Sequence, residues 1–122
     1  MVVGTMGGDH QDQWSLQAFL NLCLFDFPVQ PALEAPRIST QHAPSSFYPH
    51  EARPGNLRIE ARVPYDVRRA LQARGHRLEL RPEWAEGYVL AIVVDERRGL
   101  LLGGADPRGE VANVIPAYAI GW

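Results

Sequence analysis

The sequence predicts a mixed α/β fold of the α+β kind, with a mostly antiparallel sheet and helices packed on it. Three observations predict it. Leu16, Phe19, Leu20, Cys23 and Leu24 recur at i, i+3, i+4, i+7 and i+8, the spacing of one helix stripe. Leu57 to Val63 and Arg77 to Arg81 alternate apolar and charged residues, as half-exposed strands do. Tyr88 to Val94 is almost continuously apolar and β-branched, as in a central strand, and leads through a turn at Asp95 to Gly99 into Leu100 to Gly103 as a hairpin partner. The order is strand, helix, strands, helix, strands, which gives a layered arrangement with much antiparallel pairing.

Taken in order, Met1-Val2-Val3 is apolar and β-favouring and opens in mid-strand. Gly4 to Gly8 then loosens the backbone directly before the helix over Gln11 to Phe25. Asp9 is its expected N-cap, and the charge of Asp12 suits the positive end of the helix dipole. Pro28 ends that helix, and a short turn of helix from Pro31 to Ala35 stops at Pro36. Arg37 to Thr40 reads as a short strand. Gln41 to Gly55, with three prolines, two serines and two histidines and no periodicity, reads as a surface loop. Pro64 to Arg74 is a second helix, with Val67, Ala70 and Leu71 facing inward and Gly75 as its stop. After Gly104 to Gly109 a turn and an extended closing piece are expected.

With 122 residues, 46% hydrophobic and 21% charged, the chain fits a single domain over 1–122 with a real core. A net charge of -2 argues against nucleic acid as a partner. All twelve basic residues are Arg, which excludes a Schiff-base lysine and the lysine of a Walker-type loop. Cys23 is the single cysteine, so no intrachain disulfide forms, and its apolar neighbours predict a buried structural thiol. No signal peptide is visible, and no apolar run approaches the ~20 residues that span a bilayer. The expectation is a soluble protein without a membrane partner, its compartment open between cytoplasm and periplasm or exterior. Apolar residues at both ends, among them Ile120 and Trp122, read as part of a larger protein or half of an assembly. A strand edge left open would invite pairing between copies, a homo-oligomer.

Ahead of a helix, backbone N–H groups lack intrahelical partners, and glycines let a ligand approach them closely. The turn at Gly7 and Gly8 therefore admits three readings: a purely structural strand-to-helix turn, a site for a carboxylate or developing oxyanion, or a nucleotide site. Asp9 speaks against a phosphate dianion. His10 reads as solvent-facing or capping. Asp9, His10, His42 and His50 share no ligand spacing, so no metal is expected. Arg37 reads as tying its own segment down rather than gripping a substrate carboxylate, and Asp106 with Arg108 as a structural ion pair around Pro107. Trp14, Trp84 and Trp122 read as packing residues.

Several segments together suggest a family. Val3-Gly4-Thr5-Met6-Gly7-Gly8 before a long helix resembles the glycine segment of the γ-glutamyltransferases (γ-glutamyltranspeptidases). Glu34-Ala35-Pro36-Arg37 followed by Gln41 is similar to the family's "APR" segment. Ala73-Arg74-Gly75-His76, and later Gly104-Ala105-Asp106-Pro107-Arg108, resemble its closing pattern. The resemblance covers nearly the whole chain. It implies an N-terminal-nucleophile (Ntn) hydrolase with an αββα sandwich, of which this chain is a part, and no cofactor. It also implies a precursor that cleaves itself into two subunits and exposes a threonine nucleophile. That threonine attacks γ-glutamyl amides such as glutathione and passes the glutamyl group to amino acids, peptides or water.

By the same resemblance the catalytic residues here are Gly7 and Gly8, as oxyanion-hole donors. The nucleophilic threonine and the residues that hold the substrate lie upstream of the glycine pair, so substrate-binding residues are not assigned. Thr5 does not replace the nucleophile, because it sits within the turn. The chain is thus expected to be the C-terminal portion of a small subunit, partnered by the large subunit and the upstream part of the same precursor, and inactive alone. Met6 stands where proline often precedes the glycines, which keeps a cephalosporin-acylase-like amidase open as an alternative. So does a non-enzymatic fragment with a binding or assembly role.

Overall fold

The computed structural model describes residues 1–111 and 118–120. Among the described residues, six strands and four α-helices follow in order. Strand β1 is Val2–Met6. Helix α1 is Gln11–Cys23 and α2 is Val29–Glu34. Then come β2, Ile38–Thr40, and β3, Asn56–Glu60. Helix α3, Tyr65–Ala73, leads to β4, Arg77–Arg81. The hairpin of β5, Tyr88–Asp95, and β6, Leu100–Ala105, precedes the short α4, Arg108–Val111.

The strands form two three-stranded sheets, in the orders β1-β5-β6 and β2-β3-β4. In the first, both pairings are antiparallel, with Val2 opposite Ile92 and Val94 opposite Leu101. In the second, β2 runs antiparallel to β3, whereas β3 and β4 are parallel because α3 carries the chain back between them. The mixed α+β class with mainly antiparallel sheets is as the sequence predicts.

The core lies between α1, α2 and one face of the first sheet. Trp14, Ala18, Leu33, Val89 and Ala91 form it, with Val3, Leu22 and Val29 packed around them. Here the structure corrects the expected stripe of α1. Leu16 is 56% exposed and Leu24 63%, while Trp14 and Ala18 face inward. Periodicity finds an apolar arc but does not say which arc meets the sheet. The arc through Trp14 wins because Gly7 and Gly87 leave room for its ring. Cys23 moves outward with the rejected stripe and is exposed, not buried.

On its other face the same sheet keeps Val2, Leu90, Ile92, Val94 and Leu101 between 44% and 73% exposed. Helix α3 buries no residue fully, and Val67 of its expected inner face is 43% exposed.

The two sheets are joined to the helices by glutamines acting as stand-in backbone. Gln17 donates to Ile38 O at 2.9 Å and accepts from Ile38 N at 3.1 Å. One turn earlier, Gln13 does the same with Thr40, at 3.0 and 2.7 Å. A side-chain amide carries one donor and one acceptor side by side, so it can satisfy a strand edge as a neighbouring strand would. Gln30 of α2 treats Ala105 of β6 likewise, at 2.8 and 3.0 Å. The closing piece expected after Gly109 begins as α4; residues 112–117 and 121–122, Trp122 among them, lie outside the described residues.

Candidate functional site

Between β1 and α1 the chain turns through Gly7, at φ +141°, and Gly8, at φ +61°, into a single 3-10 turn at Gly8–His10. Both φ values are ones that side chains oppose. Packing adds a second demand for glycine. A Cβ on Gly7 would collide with the Trp14 ring, and one on Gly8 would lie 3.1 Å from Phe47 Cε2. Both glycines are exposed. Neither nitrogen donates to a main-chain carbonyl among the described turn and loop bonds. In the amide orientation that satisfies both its ends, the Gln11 side chain accepts from Gly8 N at 3.2 Å and donates to Thr5 O at 3.3 Å.

Asp9 does not cap α1. Position N-cap falls to His10, without a side-chain bond. The Asp9 carboxylate instead reaches across to the loop after β2, accepting from Ser45 Oγ and Ser46 N, each at 2.8 Å, and from Ser46 Oγ. The Ser46 hydroxyl foremost, with the Ser46 amide and the Ser45 hydroxyl, holds this carboxyl below the usual range. His10 stacks on Trp14, ring centroids 5.5 Å apart. Thr5 Oγ1 donates to Tyr88 O, tying β1 to β5.

That loop, Gln41 to Gly55, walls a cavity of about 300 Å³ beside the turn, together with Asp9, His10, Gln13 and Thr40. Phe47, Tyr48 and Arg53 line it from the loop side. No sequence pattern signals this closure. Its only precursor was the serine pair among prolines, which reads equally as a solvated excursion.

Behind the site lies a buried charge network. Arg108 Nε and Nη2 donate to the two Glu60 oxygens at 2.6 and 2.8 Å, and its Nη1 donates to Asp106 Oδ1 at 2.9 Å. Arg37 pairs with Asp106 Oδ2, and both arginines donate to Leu33 O. Asp106 Oδ2 also accepts from Val89 N at 3.1 Å, and Glu60 from the amides of Glu86 and Arg37. Burial alone pushes Glu60 up, but the bonds and charge of Arg108, with those two amides, outweigh it and leave the carboxyl below its ordinary range. For Arg108 the Glu60 and Asp106 carboxylates likewise overcome burial and raise its pKa. Arg37 is thus occupied structurally, as its sequence reading has it, and Asp106 and Arg108 form the expected ion pair. Trp84 packs under Arg62, whose guanidinium lies 3.3 Å from the ring centroid. Among the described residues, no three His, Cys, Asp or Glu side chains gather as a metal site, and no helix is long and apolar enough to cross a membrane.

A profile of the family described as Gamma-glutamyltranspeptidase matches residues 1–115. The glutathione hydrolase-like proenzyme YwrD of Bacillus subtilis (strain 168) is 31% identical over 116 residues, covering 93% of this chain and 21% of its own length. Among solved structures, LmbA2991 is similar at 38% identity with a TM-score of 0.89, over 98% of this chain and 21% of that one. A cephalosporin acylase from Bacillus halodurans shares 32% identity with a TM-score of 0.71, over 87% of this chain and 18% of its own. The chain therefore spans about a fifth of the length of these relatives. Its fold is the one those Ntn-hydrolase relatives share.

Proposed function

Because the chain belongs to the γ-glutamyltranspeptidase family, we propose that it supplies the oxyanion hole of an enzyme that cleaves γ-glutamyl amides and passes the acyl group to an amino acid, a peptide or water. Gly7 N and Gly8 N are the donors. The observation that supports this is a pair of adjacent, exposed glycines at the 3-10 turn leading into α1, neither nitrogen engaged by a main-chain acceptor among the described turn and loop bonds. The Gln11 contact to Gly8 N is long, and a side-chain amide is a displaceable partner, so an oxygen bearing developing charge would replace it. The attacking threonine and the groups that grip the glutamyl moiety belong to polypeptide upstream of the turn. This chain is then the C-terminal portion of a small subunit, catalytically silent until assembled with that polypeptide.

Mechanistically, attack on the amide carbonyl places negative charge on its oxygen. Two N–H dipoles fixed before the reaction stabilise that charge without having to reorganise, and each such donor is worth ~3 kcal/mol in the barrier. The likeness to the cephalosporin acylase keeps a different acyl donor as a second reading on the same turn and the same chemistry.

The test is release of nitroaniline from γ-glutamyl-p-nitroanilide, by this chain alone and with the upstream portion added. Only the assembled protein should turn over. Gly8→Pro is a blunt variant, because L-proline cannot adopt φ +61° and would rebuild the turn. Cys23 offers a ligation point for a synthetic segment carrying D-proline at Gly8, which fits that φ and deletes the N–H. A loss of ~100-fold or more in kcat, beside little loss with D-alanine there, is expected. Equal turnover in both refutes the assignment.

A further inference from the structure

We propose that the cavity beside the glycine turn is a subsite for an aromatic group on the substrate, and that Phe47 sets this preference. The inference rests on the oxyanion reading of Gly7 and Gly8, since that reading puts the reacting carbonyl at the cavity's edge.

Three observations carry it. First, position: Phe47 Cε2 stands 3.1 Å from where a Gly8 Cβ would be, so its ring edge abuts the turn itself. The cavity, about 300 Å³, is at the small end of ligand sites, large enough for a single ring and its linkage. Second, rigidity: Phe47 is 63% exposed, yet its backbone is held at both ends. Its N–H donates to Ser45 Oγ at 3.1 Å, and its carbonyl accepts from His50 N at 2.7 Å. Ser45 is itself bound by Asp9, and its amide donates to Glu51 O at 2.9 Å. An exposed aromatic on a backbone fixed in this way is a prepared contact surface, because little ordering remains for a ligand to impose.

Third, charge: the carboxylate nearest the turn, that of Asp9, is already engaged. Asp9 is occupied by two serines, and Arg53 sits 3.7 Å from Glu51 and 3.9 Å from Glu79. Discrimination therefore falls to the apolar wall of Phe47, Tyr48, Pro44 and Pro49, with Thr40 and His10 as polar edges. A flat, uncharged ring fits that lining.

Two measurements test it. In amide NMR spectra of this chain, benzamide should shift Gly8, Phe47 and Tyr48, while acetamide should not. Phe47→Ala should weaken the benzamide response roughly tenfold, and Phe47→Leu, which keeps bulk but loses the flat ring, should also weaken it. In the protein assembled with its upstream portion, the ratio of kcat/KM for γ-glutamyl anilide over glutamine should fall roughly tenfold in both variants, chiefly through KM. Phe47→Tyr should restore it. Benzamide shifts that are indifferent to Phe47, or that map elsewhere, overturn the proposal. Turnover that is intact but blind to Phe47 overturns the subsite and leaves the oxyanion reading standing. Benzamide seated against Phe47 in an assembled protein that cleaves neither a γ-glutamyl amide nor a cephalosporin amide overturns the oxyanion reading and keeps the subsite.

Discussion

Arg108 grips Glu60 through two parallel bonds, Nε to Oε1 at 2.6 Å and Nη2 to Oε2 at 2.8 Å, with both side chains sealed from solvent. The pair connects the end of the hairpin sheet to the end of β3 in the other sheet. Removing one partner would strand a buried charge, which is the costly way to break such a pair. Arg108→Ala should therefore lose about 3–5 kcal/mol of stability. Arg108→Lys keeps the charge but not the fork and should fall in between. Urea denaturation followed by circular dichroism measures both. A loss under about 1 kcal/mol for the alanine variant would show that the network is ornamental.

Acid should weaken the molecule for the same reason. Glu60 and Asp9 both have depressed pKa values in the folded state. A depressed carboxyl contributes stability that is present above its unfolded pKa and disappears as pH falls through the folded one. Denaturation midpoints should be flat near neutrality and drop below about pH 4. Glu60→Gln should flatten that drop. A midpoint independent of pH down to about 2 contradicts this account.

Gly87, at φ +61°, shares the Trp14 ring with the glycine turn: a Cβ at either Gly7 or Gly87 would meet the indole. Gly87→Ala combines backbone strain with overpacking, about 1–2 and 1–3 kcal/mol respectively. A destabilisation of at least about 2 kcal/mol is expected, with altered tryptophan emission. Wild-type stability in Gly87→Ala would mean that the ring has somewhere else to go.

Cys23, expected to be buried, is exposed at the rim of an apolar cavity with Leu22, Phe27 and Val29. The native chain should react stoichiometrically with Ellman's reagent within minutes, without denaturant. Protection until urea is added would restore the buried reading.

Fold class and element order were legible because they depend on local pattern. The alternation of Arg77 to Arg81 and the apolar run of Tyr88 to Val94 each encode their own strand. The glycine turn was legible too, as a position where the backbone needs freedom. What stayed hidden depends on partners far apart in the chain. Nothing near Asp9 announces that its carboxylate belongs to Ser45 and Ser46, 36 and 37 residues away. Gln13 and Gln17 look like the wet face of a helix until β2 is placed against them. The mistaken stripe on α1 arose because Trp14 and Ala18 read as a poorer apolar arc than Leu16, Phe19 and Leu24, and only glycines on two other segments make the tryptophan's arc the inner one.

The first sheet is apolar on both sides, and Ile92 and Leu101 show that its outer side is no less oily than its core. The consequence is one of timing in the cell. On the reading that upstream polypeptide covers this face, a newly made chain without that cover stays open to chaperones and neighbouring copies. Yield on expression would then be decided by what is translated alongside it.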